Sequence, residues 1–204
     1  MPLVRDRAIC LRKTEYSETS QIVTLLTRDH GLFRAIAKGA HRKTKAGASK
    51  FDGGMDFLEV GEAVFTHDVT RDLATLTEWT LREGHLAFRS DLRAMYLAIY
   101  AGELVDRLLE QHDPHPELFD RLEQTLPELA SPRREEAFLA FELDLLRETG
   151  HMAEVTECVA CHRPAPTDVP RAFFSADLGG TVCRDCEMSV PDRRSIDSRL
   201  IRLV

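Results

Sequence analysis

The 204-residue sequence lacks a long hydrophobic run. Its longest apolar stretch, Ala94 to Gly102, is bracketed by Arg93 and Glu103, far below the roughly 18 nearly uncharged residues of a membrane span. The N-terminus, MPLVRDRAICLRK, puts charge where the apolar core of a signal peptide would lie. A soluble cytoplasmic protein with no membrane anchor is therefore expected. There is no GxGxxG, no Walker-type GxxxxGK[ST], no GxSxG and no HExxH. Missing these, the chain offers no dinucleotide fingerprint, nucleophile elbow or zincin helix, and the absent phosphate loop weighs against an ATP-driven motor. Wholesale disorder is also disfavoured, because 43% hydrophobic and 30% charged residues are ordinary globular values.

What is present is unevenly distributed. The formal charge of −7 comes from 27 Lys+Arg and 34 Asp+Glu. Residues 1–50 hold 11 of the basic and 4 of the acidic residues, a net of +7, leaving 16 against 30, a net of −14. A basic segment on an acidic body can steer a polyanion, whereas the average charge alone would argue against one. A merely solvated charged surface is the competing reading. Residues 38–50, KGAHRKTKAGASK, contain five Lys/Arg and no acid and read as an exposed loop.

The first 80 or so residues read as five short strands: Arg7–Arg12, Gln21–Thr27, Leu32–Ala37, a fourth from Phe57 to Phe65 with a bulge at Gly61, and Asp72–Thr80. Thr14–Ser20 reads as a turn, and Gly31 as the positive-φ residue of a hairpin. Such strands suit a small closed barrel, for which an OB-fold is one candidate. Leu81–Leu109 is apolar nearly all round (Leu92, Met95, Tyr96, Ile99, Leu104, Val105, Leu108), the pattern of a centrally buried helix. Leu118, Phe119, Leu122 and Leu126 mark a second helix. Ser131-Pro132 starts a third, carrying Phe138, Phe141, Leu145 and Leu146 to Gly150. The expected fold class is a multidomain α+β chain. It comprises an N-terminal OB-fold barrel (1–80), a central helical bundle (81–153), a four-cysteine zinc module (154–190) and a tail (191–204) packing on the helical domain.

Cys158-x-x-Cys161 and Cys183-x-x-Cys186 are separated by twenty-one residues. Two such knuckles suit a tetrahedral four-thiolate zinc site, closed and therefore structural. Gly179-Gly180 gives the chain freedom to turn before the second pair. Two disulfides, or a redox CxxC, are the alternatives, the latter without the βαβ unit it normally accompanies. Cys10 reads as a small buried apolar residue. His112 and His115 suit a polar loop, and Glu15 and Glu18 a capping or loop role.

Glu15-Tyr16-Ser17-Glu18-Thr19-Ser20 before a β-rich run, His30-Gly31-Leu32, and Ala37-Lys38-Gly39-Ala40 together resemble the N-terminal region of the RecO family of bacterial recombination mediators. The C-terminal Phe174-Ser175, Gly179-Gly180 and paired cysteines are similar to the zinc module of many RecO proteins. The resemblance implies an OB-fold that binds single- and double-stranded DNA and an activity annealing complementary strands. It further implies partnership with RecR and the single-strand-binding protein, help in loading RecA, one structural Zn2+ per chain, and a cytoplasmic, nucleoid-associated location. His41 departs from the family pattern, standing where arginine is expected, with Arg42 following. The candidate DNA-binding residues are Arg34, Lys38, Arg42, Lys43 and Lys45, with His41, and with Arg12 and Lys13 in second rank. The nearest aromatics are Phe33 and Phe51, so phosphate contacts should dominate. Neutralising phosphates on two strands needs no covalent chemistry, and no enzyme activity is expected. Two other classes stay open: an adaptor whose acidic helices and zinc module bind only proteins, and a thiol redox enzyme.

Overall fold

Alternation along the first strand decides how the barrel is built. In a computed structural model, which describes residues 3–41, 50–51, 54–66, 70, 72–165 and 169–203, β1 (Leu3–Ser17) buries four consecutive residues, Ala8 to Leu11. Successive side chains point to opposite faces of a strand, so both faces are covered here. Ala8 and Cys10 join Val23, Leu25, Phe33, Phe65 and Trp79 in one core, while Ile9 and Leu11 join Leu26, Leu32 and residues of the helices in another.

β2 (Ser20–Thr27), β3 (Gly31–Ala37), β4 (Val60–Thr66) and β5 (Ala74–Glu83) complete a closed barrel in the order β1-β2-β3-β5-β4. β1 pairs with both β2 and β4, and the short parallel register Ala35↔Ala74 to Ala37↔Leu76 closes the ring. This is an OB-like barrel. The expected turn at Thr14–Ser20 is instead largely strand: Thr14 pairs with Ile22 and Ser17 with Ser20. Register shifts at Cys10/Arg12 and Glu15/Ser17 let this polar half bend around the barrel.

Two glycines are required by space. Gly31 turns the β2–β3 hairpin at φ +71°, and a Cβ there would lie 2.4 Å from the Asp113 carbonyl oxygen. Gly61 lies at a register shift, and a Cβ would strike the Trp79 ring at 2.6 Å.

The expected single helix over Leu81–Leu109 divides. β5 continues to Glu83, a 3-10 turn spans Leu86–Arg89, and α1 covers Leu92–Leu108, capped by the Asp91 carboxylate accepting from the Ala94 amide. Nor is α1 buried all round. Its inward face is made of Ala94, Ala98, Ala101, Gly102 and Val105, while Leu92 is 65% and Tyr96 61% exposed. Small residues bring the helix close to the barrel and leave its bulky ones outside. α2 (Pro116–Glu128) buries Leu118, Phe119, Leu122 and Leu126, and α3 (Arg134–Glu148) buries Phe138, Phe141 and Leu145. No helix among the described residues is long and apolar enough to cross a membrane.

The chain forms two compact units, Met1–Glu148 and Thr149–Val204. The barrel and all three helices lie in the first, joined by the shared core, so residue 80 falls inside β5 and inside that unit. The second holds a three-stranded sheet in the order β7-β6-β8, from β6 (Arg171–Ser175), β7 (Gly180–Val182) and β8 (Arg194–Asp197). The segment expected as a tail on the helices thus supplies a strand, with Ala172 paired to Ile196.

Candidate nucleic-acid interface and metal centre

The outward side of β3 alternates Arg34 and Ile36 and leads to Lys38 just beyond the strand, at about 3.3 Å per residue. Thr24 and Ile22 of β2 lie opposite Arg34 and Ile36, and Arg12 and Thr14 of β1 lie opposite those. At one end, Tyr16, Thr19, Ser20, Ile36, Lys38, Lys50 and Phe51 border an open hollow of about 470 Å³. At the other, a hollow of about 490 Å³ is bordered by Arg12, Thr14, Thr24, Arg34, Asp106 and Gln111.

The cations of the barrel divide into two groups. Arg5 pairs with Glu62 and Glu78, Arg7 with Asp120 and Glu123, Arg28 with Asp120, and Arg82 with Glu62. The second-rank candidates are paired too: Arg12 lies 3.1 Å from Glu103 and 3.0 Å from Asp106, and Lys13 lies 2.9 Å from Asp56. That carboxylate holds the Lys13 ammonium above its usual range. Arg34, Lys38 and Lys50 are exposed and have no ion pair among the described residues. Arg42, Lys43 and Lys45 lie outside the described residues.

His41 serves as an anchor. Its Nε2 lies 2.9 Å from Glu15 Oε2, and its amide donates to the Thr19 carbonyl. Hydrogen bonds from Gln21 and His41 hold the Glu15 carboxyl below its usual range. Gln21, itself buried, also donates to the Met55 carbonyl and accepts from the Met55 amide. Lys50 is fixed through its carbonyl, which accepts from the Trp79 amide at 2.8 Å.

Phe33 and Phe51 are inside the barrel, 2% and 4% exposed, and cannot stack on a base. The exposed aromatic of this face is Tyr16, absent from the candidate set because its segment reads as a turn. Lys50 was equally outside that set, although it ends the same basic run.

In the second unit the four cysteines converge. Cys158, Cys161, Cys183 and Cys186 are unbridged, with every Sγ within 4.8 Å of the others. At 3.7 Å, Cys161 and Cys183 Sγ are too far apart to be bonded to each other, which needs about 2.05 Å. Their separation matches the ~3.8 Å edge of a tetrahedron with metal–sulfur bonds of about 2.3 Å. The residues therefore fit a metal ion. The first knuckle is closed by the His162 amide donating to the Cys158 carbonyl and tied to β7 by Val159 donating to the Thr181 carbonyl. Gly180 is needed at the crossing, where a Cβ would lie 2.4 Å from the Glu154 carbonyl oxygen. Arg163 places Nε 3.4 Å from Cys161 Sγ and Nη2 3.9 Å from Cys183 Sγ, with Nη1 2.8 Å from Asp185. Its guanidinium draws the Cys161 thiol down to about 6, offsetting charge that four thiolates would accumulate.

Other groups play no part in either site. Burial pushes the Cys10 thiol up to about 12, as for an inert core cysteine. His115 lies 3.3 Å from Asp113 in the α1–α2 connection, and the four cysteines are the only metal-compatible cluster among the described residues.

Sequence comparison gives these two regions a common setting. Residues 1–85 match the family described as Recombination protein O N terminal, and residues 89–204 match Recombination protein O C terminal. Proteins named DNA repair protein RecO are similar to the chain. That of Rhodopirellula baltica is 37% identical over 89% of this chain and 66% of its own length. That of Anaeromyxobacter dehalogenans is 35% identical over 94% and 73%, and that of Myxococcus xanthus 37% identical over 89% and 71%. The chain thus spans about two thirds to three quarters of these relatives. With both family halves matched in order across the barrel, helices and cysteine unit, the chain belongs to the RecO family of DNA repair proteins.

Proposed function

We propose that the chain is a recombination mediator that holds single- and double-stranded DNA on the outer face of its barrel. It anneals complementary strands and, with RecR and the single-strand-binding protein, helps load RecA. The observation carrying this reading is the division of cations. Six described cations of the barrel are spent on carboxylates, while Arg34, Lys38 and Lys50 stay unpaired along one face. Unpaired cations can replace counterions on phosphates, giving affinity that is tolerant of sequence and sensitive to salt. Neutralising two strands together lowers their mutual repulsion, so base pairing follows without covalent catalysis. The four thiolates hold one structural zinc ion, whose chemistry is to cross-link the two knuckles. The protein acts in the cytoplasm, at the nucleoid.

The test is fluorescence anisotropy of labelled DNA across a salt series, with complementary-strand annealing measured in parallel. Arg34→Glu combined with Lys38→Glu should weaken binding at least tenfold. It should also flatten the log–log salt slope for single strands by about 1.4, at about 0.7 per lost phosphate contact. Unchanged affinity and slope would remove this face from the DNA path. A protein-binding adaptor is favoured by one observation, the exposed Leu92, Met95, Tyr96 and Tyr100 on α1. That reading requires the unmodified chain to bind no DNA at low salt.

A further inference from the structure

Within the barrel, residues 3–83, aromatic side chains are used almost wholly as core. Phe33, Phe51, Phe65 and Trp79 are buried, and Phe33 and Phe65 pack with ring centroids 4.5 Å apart. Tyr16 is the exception among the described residues: at the distal end of β1 it is 64% exposed, and its ring packs into neither core cluster. Its hydroxyl has no hydrogen-bond partner among the described residues. An amphipathic ring left in water is unremarkable singly, but its surroundings are specific. Tyr16 borders the same open hollow as Lys38 and Lys50, together with Thr19 and Ser20 at the β1–β2 turn.

The backbone around this hollow is held from several directions. The Gly39 amide donates to Ser20 Oγ, the His41 amide to the Thr19 carbonyl, and the Trp79 amide to the Lys50 carbonyl. These bonds tie the segment after β3 to the β1–β2 turn, and Lys50 to β5. A flat π-face beside two unpaired ammonium groups combines the two elements that retain a single strand, a stacking platform and phosphate contacts. A base in a continuous duplex already has both faces stacked on its neighbours, so such a platform takes a base only from an unpaired nucleotide.

We propose that Tyr16, Lys38 and Lys50 form a subsite for one unpaired nucleotide, its base on the Tyr16 ring and its flanking phosphates on the two lysines. The assignment rests on the DNA-binding reading above and adds discrimination to it: the lysines serve any strand, whereas Tyr16 serves unpaired bases. An annealing protein benefits from that difference, because the stacking contact is lost as the base enters the product duplex while the phosphate contacts persist.

The experiment compares wild type, Tyr16→Ala, Tyr16→Phe and Lys38→Glu by anisotropy on a single-stranded oligonucleotide and its duplex at one salt concentration. Tyr16→Ala should lose about tenfold on the single strand, within the range for one base–aromatic stack, and less than twofold on the duplex. Tyr16→Phe should bind as wild type, and Lys38→Glu should weaken both ligands. A second arm leaves the protein untouched and replaces bases of the oligonucleotide with abasic sites. Wild type should lose affinity for this ligand, and Tyr16→Ala should be indifferent to it. Equal losses on single strand and duplex, or no loss in Tyr16→Ala, would overturn the subsite while leaving the DNA-binding reading standing. Wild-type protein that binds neither ligand would overturn both.

Discussion

The barrel-and-helix unit and the cysteine unit hold themselves together by different means. The first buries two apolar clusters, one inside the barrel around Trp79, Phe33 and Phe65, the other between the barrel and α1, α2 and α3. The second has a buried cluster of only Cys158, Val182 and Val190, with Val159, Phe173 and the remaining cysteines packed beside it. A unit spanning residues 149–204 has too little apolar interior to fold firmly on burial alone, and metal ligation is one of the ways small units compensate. Four sulfurs at its centre therefore occupy the place that Trp79 and its neighbours fill in the barrel.

The largest expected effect comes from removing what is special to the second unit. Chelation, or Cys183→Ser, should make the strands of the second unit sensitive to limited proteolysis while β1 to β5 and α1 to α3 of the first stay resistant, because none of the four paired cysteines lies in the first unit's core. Full resistance of both units would break the comparison. Next is Phe65→Ala, which empties a fully buried ring site. It should cost about 3–5 kcal/mol and lower the melting temperature of the first unit by roughly 10 °C. Metal content, measured by elemental analysis, should be unchanged.

A smaller effect is expected at Arg163, whose guanidinium reaches Cys161 and Cys183 from outside the cluster. Arg163→Ala should speed metal transfer to a chromogenic chelator several-fold without changing the stoichiometry at rest. Equal release rates would mean that the guanidinium contributes only its pair with Asp185.

The smallest effect lies between the barrel and α2, where Arg28 and Arg7 share Asp120. Hydrogen bonds from Arg28, then from Arg7, hold the Asp120 carboxyl below its usual range. A depressed folded-state pKa contributes stability above the ordinary carboxylate range, and that contribution disappears as pH falls through the depressed value. Asp120→Asn should therefore melt about 2 °C lower at neutral pH, a modest figure because the pair is partly exposed. The two proteins should converge in acid. A difference independent of pH would assign the effect to packing.

Sequence reading located the elements better than it oriented them. Leu118, Phe119, Leu122 and Leu126 lie at helical spacing and are all buried on α2, because one face of that helix carries nearly all its apolar area. On α1 the apolar residues go round the helix. The side facing the barrel is set by close approach, which favours Ala94, Ala98 and Ala101 over Leu92 and Tyr96, and hydrophobicity carries no such information. The strand character of Thr14–Ser17 was illegible for a related reason: its polar side chains pair across to β2 on an outer face.

The candidate interface follows the same pattern. Net charge located the basic segment, but the availability of each cation depends on distant acids. Arg12 is taken by Glu103 and Asp106, more than 90 positions away along the chain, whereas Arg34 and Lys38 meet no such partner among the described residues. The cysteines needed no such knowledge, since the CxxC spacing is local chemistry, and their convergence was the most legible part of the chain.

The β2–β3 hairpin has a consequence for how the chain is made. Gly31 sits against the Asp113 backbone, and the His112 amide donates to the Leu32 carbonyl. The tip of the hairpin is thus completed by residues translated some 80 positions later. At about 5–20 residues per second, the nascent hairpin spends roughly 4–16 s with that tip unlatched. The segment that latches it is the connection between α1 and α2, so arrival of the first helix and its following turn times the completion of the barrel.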